Sequence, residues 1–376
     1  MAFKARKDGP AARRYAERLE KRTAGILNLV IALAIGAVAY TDWVVVANVS
    51  LGYLYVLPLA LSAVVNPLTV TIGLALLCTV LADIFGPPAE TTWLRVTHSA
   101  IDLAGFLIVA YLVTRIVRQR NLMAEEVIQQ RNEYEQDLTL AAQVQRQVLP
   151  KPVELPGLEV AATMRTARLL GGDYYDFYPI SDDVMDVVIA DVSGKGAAAA
   201  LLMPSLAVAL RLRAKELSGP AEIMSDLDRV LKEVTRPATF VTMFYARVNH
   251  RSRTLEYSDG GHNPPVLVRP ATGEVMLLDG ATGPIMGILP DAQFSNAVID
   301  LQQGDVLALY TDGVTEQEND AGEEFSLERL KSVLVKDENE PAAEVVKGVA
   351  DAVSAYAGKK EQADDLTIVV AKVGPQ

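Results

Sequence analysis

The sequence is poor in the side chains that most often build thiol and imidazole chemistry. Its 376 residues include one cysteine, Cys78, and three histidines, His98, His250 and His262. One cysteine excludes a disulfide framework and a cysteine zinc site. Histidines so far apart argue against an imidazole metal centre, so a bound metal is held mostly by oxygen. No convincing Ser/His/Asp or Cys/His set stands out for nucleophilic catalysis. Positive charge is short as well, with 35 Lys and Arg against 47 Asp and Glu and a formal net charge of −12. That balance argues against nucleic acid as a partner.

Apolar residues are plentiful, at 50% of the chain, and the mean hydropathy is +0.20. They concentrate near the start. Residues 24–41, 44–65, 68–85 and 98–117 are apolar stretches of about the length that crosses a bilayer. Trp43 and Trp93 sit at segment ends, where interfacial aromatics belong. Residues 1–22 carry eight Lys and Arg against three Asp and Glu, and Arg115, Arg118 and Arg120 follow the last stretch. Four spans with basic flanks at both ends put both ends in the cytoplasm. The predicted organisation is a basic N-terminus over 1–23, a transmembrane region over 24–117, a linker over 118–150 and a catalytic domain over 151–376. Asp83, Arg95 and His98 lie near span ends and fit interfacial solvation. Asp102 is the ionisable residue of most functional interest. The block is either an anchor or a sensor of a ligand or lipid.

Residues 118–149 hold no Gly or Pro and read as one helix, ended by Pro150 and Pro152. Val127, Tyr134, Ala141 and Val148 recur every seven residues, with Met123 and Val144 on a companion seam that Gln130 and Asp137 break. The helix reads as a homodimeric coiled coil or as a solvated connector. From Leu158 the pattern changes to strands, near 158–166, 184–190, 239–249, 254–258, 265–268, 274–278, 294–301, 306–310 and 366–371. Helices are expected at 197–217, 220–234, 326–335 and 341–357. This succession predicts an α+β domain with helices packed on sheets.

Four acidic sites share one setting. Asp173 follows Gly171-Gly172, Asp191 ends an apolar run before Gly194, Asp312 precedes Gly313, and Asp364-Asp365 open the last strand. Taken singly, each reads equally as a turn or cap residue. Together they are short carboxylates at strand ends, a setting that suits Mg²⁺ or Mn²⁺. A two-metal centre of this kind activates water and clamps phosphate without a protein nucleophile.

Gly171-Gly172-Asp173-Tyr174-Tyr175-Asp176, Asp191-Val192-Ser193-Gly194-Lys195-Gly196, Gly261-His262-Asn263-Pro264-Pro265, Thr311-Asp312-Gly313-Val314 and Asp364-Asp365-Leu366-Thr367 stand in this order. The series resembles the motifs of the SpoIIE-like (RsbU-type) phosphatases, the bacterial branch of the metal-dependent, protein phosphatase 2C-like (PPM) serine/threonine phosphatases. The likeness covers roughly residues 140–373 and includes Gln143 to Pro150 and Thr282 to Gly287. It implies an αββα sandwich with two Mn²⁺ or Mg²⁺ ions at one end of the sheets. Asp191 would bridge both ions, and the Val192 carbonyl, Asp312 and Asp364 would add ligands. Asp173 would act mainly through metal-bound water. Asp191 and Asp312 would carry catalysis through a metal-activated water. Asp176, Asp365 and Gly194 would support the site or the substrate. Lys195 stands where the wider family often has His, which leaves the proton donor to the leaving serine unassigned. His262 reads either as that donor or as part of a structural turn. Arg165 and Arg168 either meet substrate phosphate or are solvated.

The resemblance thus implies a signalling phosphatase in the bacterial cytoplasmic membrane, multi-pass, with its catalytic domain in the cytoplasm. Its implied partner is a phosphorylated STAS-domain anti-sigma-factor antagonist in a partner-switching pathway. Two other readings are an inactive phosphatase-like receptor that works by contact and a metal-dependent hydrolase of small phosphoesters.

Overall fold

A computed structural model describes residues 10–44, 51–85, 91–151, 155–194, 197–216, 219–235 and 239–375. The chain divides into two compact units, residues 1–132 and 133–376.

In the first unit, α1 spans Pro10–Val44, a 3-10 turn Gly52–Tyr55 leads into α2, Val56–Val65, and α3 spans Leu68–Phe85. The unit also holds the first part of α4, which runs without a break over Thr92–Val148. Ile31, Ile35, Tyr55, Leu59, Ala75, Cys78 and Phe106 form its interior. Leu29, Leu33, Leu57, Val80, Ile101 and Ile116 are instead exposed on its outside. An apolar exterior of this kind suits lipid as the surrounding solvent. The segments Lys21–Val44, Leu68–Phe85 and Thr92–Val148 are long and apolar enough to cross a membrane. The structure differs from the expectation over 44–65. There the apolar helix is Gly52–Val65. Its 14 residues rise only about 21 Å, short of the ~30 Å hydrocarbon core. Residues 45–50 lie outside the described residues. The ionisable groups at the span ends pair with one another: Arg95 donates to both Asp83 carboxylate oxygens at 2.8 Å, and Ser99 donates to the same carboxylate.

Among the described residues, the second unit holds ten strands: β1 Leu158–Arg165, β2 Asp173–Pro179, β3 Val184–Val192, β4 Val241–Asn249, β5 Thr254–Gly260, β6 Val266–Arg269, β7 Glu274–Leu277, β8 Ala297–Asp300, β9 Val306–Tyr310 and β10 Leu366–Val373. Its helices are the end of α4, α5 Ala197–Glu216, α6 Pro220–Val234, α7 Asp312–Thr315, α8 Leu327–Lys336 and α9 Ala342–Ala357. One antiparallel sheet has the order β1-β10-β9-β6-β7, and the other β2-β3-β4-β5-β8. The layers follow from the two-residue period of a strand. In β3, Met185, Val187 and Ile189 face the other sheet, while Val188, Ala190 and Val192 face α5 and α6. In β10, Val369 and Ala371 face the other sheet, while Ile368 and Val370 pack with α8 and α9. Both faces of these strands are buried, which is why they read as unbroken apolar runs. The result is the αββα sandwich.

Polar groups on the helix side of β2, β3 and β4 fasten α5. Asp186 is fully buried and accepts from the Arg247 Nε and Nη2 and from the Tyr245 hydroxyl. Arg247 also donates to the Ala214 carbonyl near the end of α5. Removing one member of such a pair leaves the other charge buried and uncompensated. Asp186→Ala should therefore lower unfolding stability by about 3 kcal/mol, read as a fall in the denaturant midpoint with an unchanged slope.

Candidate active site

The acidic residues gather at one end of the sandwich, because the strands that carry them stop there together. Asp173 opens β2 and Asp191 lies near the end of β3, and the two are direct register partners. Asp173 shares a face with Tyr175 and Phe177, whose rings fill the space between the sheets. Its carboxylate is 2% exposed and accepts from the Thr311 hydroxyl at 2.9 Å and the Thr367 hydroxyl at 2.5 Å. Those threonines belong to the opposite sheet, at the end of β9 and the start of β10. Burial pushes the Asp173 carboxyl well above its ordinary value, and the nearby Asp191 and Asp365 charges push it the same way. The two hydroxyls pull against that shift.

The turn before Asp173 is built by close approach. A Cβ on Gly171 would stand 2.6 Å from the Asp365 Oδ2, and one on Gly172 would stand 2.8 Å from the Val192 carbonyl oxygen. Asp365 is buried, and its two oxygens accept from the Ala167 N–H at 2.8 Å and the Gly172 N–H at 2.7 Å. It thereby holds the 167–172 loop against the start of β10. Asp364, next to it, is exposed and lines a cleft with Arg168, Gly172, Asp191 and Gly194. Asp312 starts the one-turn helix α7 rather than ending a strand. It is set beside Asp364 by Gly313, where a Cβ would fall 2.0 Å from the Asp365 carbonyl oxygen. Glu316 feels both Asp312 and Asp364: burial raises its carboxyl first, and those two charges add to the rise.

The other residues singled out in the sequence divide. Gly194 lines the cleft with a φ of 100°, which favours glycine. Lys195 lies outside the described residues. Arg168 lines the cleft, whereas Arg165 donates to the Ser354 hydroxyl. Asp176 does not join the acidic end. It lies on the helix face of β2, fully buried, and accepts from Tyr174 at 2.6 Å and Arg211 at 2.7 Å. His262 is buried, and its Nδ1 is 2.9 Å from the hydroxyl of Thr242, the register partner of Asp191. Among the described residues its Nε2 has no hydrogen-bond partner. Burial lowers the imidazole to about 4, so it is neutral at pH 7. Thr311, Thr367 and Thr242 carry roles the sequence reading left out. Their signal was placement: each threonine sits beside a motif aspartate in sequence or across a strand pair.

The donor set fits a hard divalent cation by its chemistry. Among the described residues it offers carboxylate and carbonyl oxygens, and Asp191 and Asp364 line one cleft. Among the described residues, no three His, Cys, Asp or Glu side chains are grouped closely enough to hold a metal ion between them.

The model of the family described as Stage II sporulation protein E (SpoIIE) matches residues 181–374. The chain belongs to the SpoIIE family. It is a protein serine/threonine phosphatase. Among its relatives, the phosphoserine phosphatase RsbU of Bacillus subtilis is 30% identical over 241 residues, covering 63% of this chain and 70% of RsbU. The phosphoserine phosphatase RsbP of the same organism is 28% identical over 182 residues, 47% of this chain and 45% of RsbP. In fold, the phosphatase resembles the SiaA-PP2C domain of Pseudomonas aeruginosa. The TM-score is 0.58 at 23% identity, over 64% of this chain and 98% of that domain.

Two tests follow from this geometry. Gly313→Ala must push the α7 turn off the start of β10. It should cost about 1–3 kcal/mol of stability and, by displacing Asp312, at least about tenfold in turnover. Asp259 caps the turn before His262, accepting from the His262 N–H at 2.8 Å. Burial raises its carboxyl from 3.8 to about 6, against the pull of that N–H and those of Gly260 and Gly261. A raised acid favours folding below its unfolded value, and that benefit is lost as pH rises through about 6. Asp259→Asn should therefore stabilise the phosphatase above pH 6, by on the order of 1 kcal/mol. The gain should vanish near pH 4 in paired denaturation curves.

Proposed function

We propose that this chain is a membrane-anchored signalling phosphatase that removes phosphate from serine or threonine of a partner protein. The partner class that fits the family likeness is a STAS-domain anti-sigma-factor antagonist. The observation that carries the reading is the Asp173–Asp191 pair, set across β2 and β3 beside Asp364 at the start of β10. Asp173, Asp191, the Val192 carbonyl, Asp312 and Asp364 would hold two Mn²⁺ or Mg²⁺ ions. When bound, such ions supply a nucleophilic water near neutral pH and neutralise charge on the phosphoryl oxygens.

The chain's own residues do the rest. Asp365 and the Thr311 and Thr367 hydroxyls fix the loop and the buried carboxylate, so that little reorganisation accompanies the reaction. Arg168, exposed at the cleft, can pair with a phosphate through its planar fork of donors. His262 is neutral and enclosed, and its contact is Thr242, so it supports β4 rather than reaching a leaving group.

The membrane region would localise the enzyme at the bacterial cytoplasmic membrane with the catalytic unit in the cytoplasm. On α4 within the second unit, Tyr134 and Val144 are exposed and would leave apolar surface for a second copy. Ala141 and Val148, from the same predicted heptad, pack within the catalytic unit instead.

The test uses the full chain in detergent with Mn²⁺, first on p-nitrophenyl phosphate and then on phosphoserine STAS proteins. Asp191→Asn and Asp312→Asn should each lower phosphate release by at least about 100-fold. Retained activity in both would remove the basis of the assignment.

A further inference from the structure

We propose that the helical unit ahead of the phosphatase domain binds a monovalent alkali cation, held in its interior between Asp42 of α1 and Tyr55 of the 3-10 turn. This site is separate from the acidic end of the sandwich and from the reaction assigned there.

Asp42 continues the inner face of α1. Ile31, Ile35, Val38 and Ala39 pack into the interior of the unit, and Asp42 follows them at the spacing that keeps a helix on one face. It is 4% exposed. Its Oδ1 accepts from the Leu51 N–H at 2.9 Å, which sets the carboxylate at the entry to the turn Gly52–Tyr55. Its Oδ2 is buried and has no hydrogen-bond partner among the described residues. The hydroxyl of Tyr55, at the other end of that turn, is in the same position: fully buried and without a partner among the described residues. The phenol is close enough to interact electrostatically with Asp42 and with Cys78 of α3. Its ring stands edge-on to Phe106, with 6.4 Å between centroids, in the cluster that also holds Leu59 and Ala75. This packing leaves the hydroxyl no route to water.

Two orphaned oxygens in one apolar interior call for a common partner. Charge decides its nature. A water molecule answers both hydrogen bonds but leaves the carboxylate charge uncompensated among apolar side chains, which is the costlier defect. Among the described residues no basic side chain pairs with Asp42, and Arg95 is committed to Asp83. Asp42 also lies in the last turn of α1, which holds no basic residue and carries the negative end of the helix dipole. Carboxylate and dipole therefore add, and both favour a cation. One carboxylate balances one positive charge, so a divalent ion would leave an excess in the same surroundings. Oxygen donors suit a hard ion such as Na⁺ or K⁺.

Both tryptophans of the chain, Trp43 and Trp93, lie in this unit, and Trp43 adjoins Asp42. Their fluorescence reads the unit without the phosphatase domain. The experiment titrates the full chain in detergent with NaCl or KCl in place of choline chloride at constant ionic strength. It compares the wild type with Asp42→Asn, Tyr55→Phe and Asp102→Asn. In the wild type, at least one of the two ions should change the fluorescence saturably and raise the thermal midpoint by about 3 °C or more over choline. Asp42→Asn should abolish both responses and, relieved of a buried charge, unfold in choline at or above the wild-type midpoint. Tyr55→Phe keeps the ring and its packing and should weaken the ion about tenfold. Asp102→Asn should titrate like the wild type. A wild type indifferent to both ions would overturn the proposal, leaving a bridging water or a protonated carboxyl as sufficient. So would a response that survives in Asp42→Asn, that Tyr55→Phe leaves unchanged or that Asp102→Asn abolishes. An Asp42→Asn midpoint below the wild type in choline would overturn it too, because the carboxylate would then be compensated without the ion.

Discussion

The catalytic unit depends on one costly arrangement: a carboxylate, Asp173, sealed between two sheets with other carboxylates close by. Burial and like charge both oppose its ionised form. The fold tolerates it because hydroxyls from the opposite sheet, Thr311 and Thr367, converge on it. The same contacts join the two sheets at the end where the acidic residues gather. Stability is thus conceded at the place where a cation would recover it, a pattern expected of functional sites.

Much of this was legible in the sequence, for physical reasons. Strands buried on both faces leave unbroken apolar runs, and β3, β4, β9 and β10 were read from them. Glycines beside aspartates marked close backbone approaches, and Gly171, Gly172 and Gly313 each prove to have no room for a Cβ. Asp176 shows what a motif conceals. It is three residues from Asp173, an odd separation in a strand, so its side chain points to the helices. That parity could have been read from the sequence. The buried contact of Gln145 with Gly171 could not, because it depends on a loop returning to a helix from 26 residues away.

The apolar region near the start was legible in outline only. Hydropathy finds apolar length, but it does not show where a helix breaks. The 44–65 stretch is continuous in composition, yet its described helix begins only at Gly52. At the far end, hydropathy marks a boundary near 117 where the backbone has none. Thr92–Val148 is one helix, because nothing in it, neither Gly nor Pro, interrupts the ladder after Gly105.

The hold on Asp173 also bears on how the enzyme comes into being. Its partners, Thr311 and Thr367, follow it by 138 and 194 residues. A growing polypeptide that has made β2 and β3 already displays Asp173 and Asp191, but it lacks the strand that completes their surroundings. The surroundings of Asp173 are therefore complete only once β10, which carries Thr367, lies between β1 and β9.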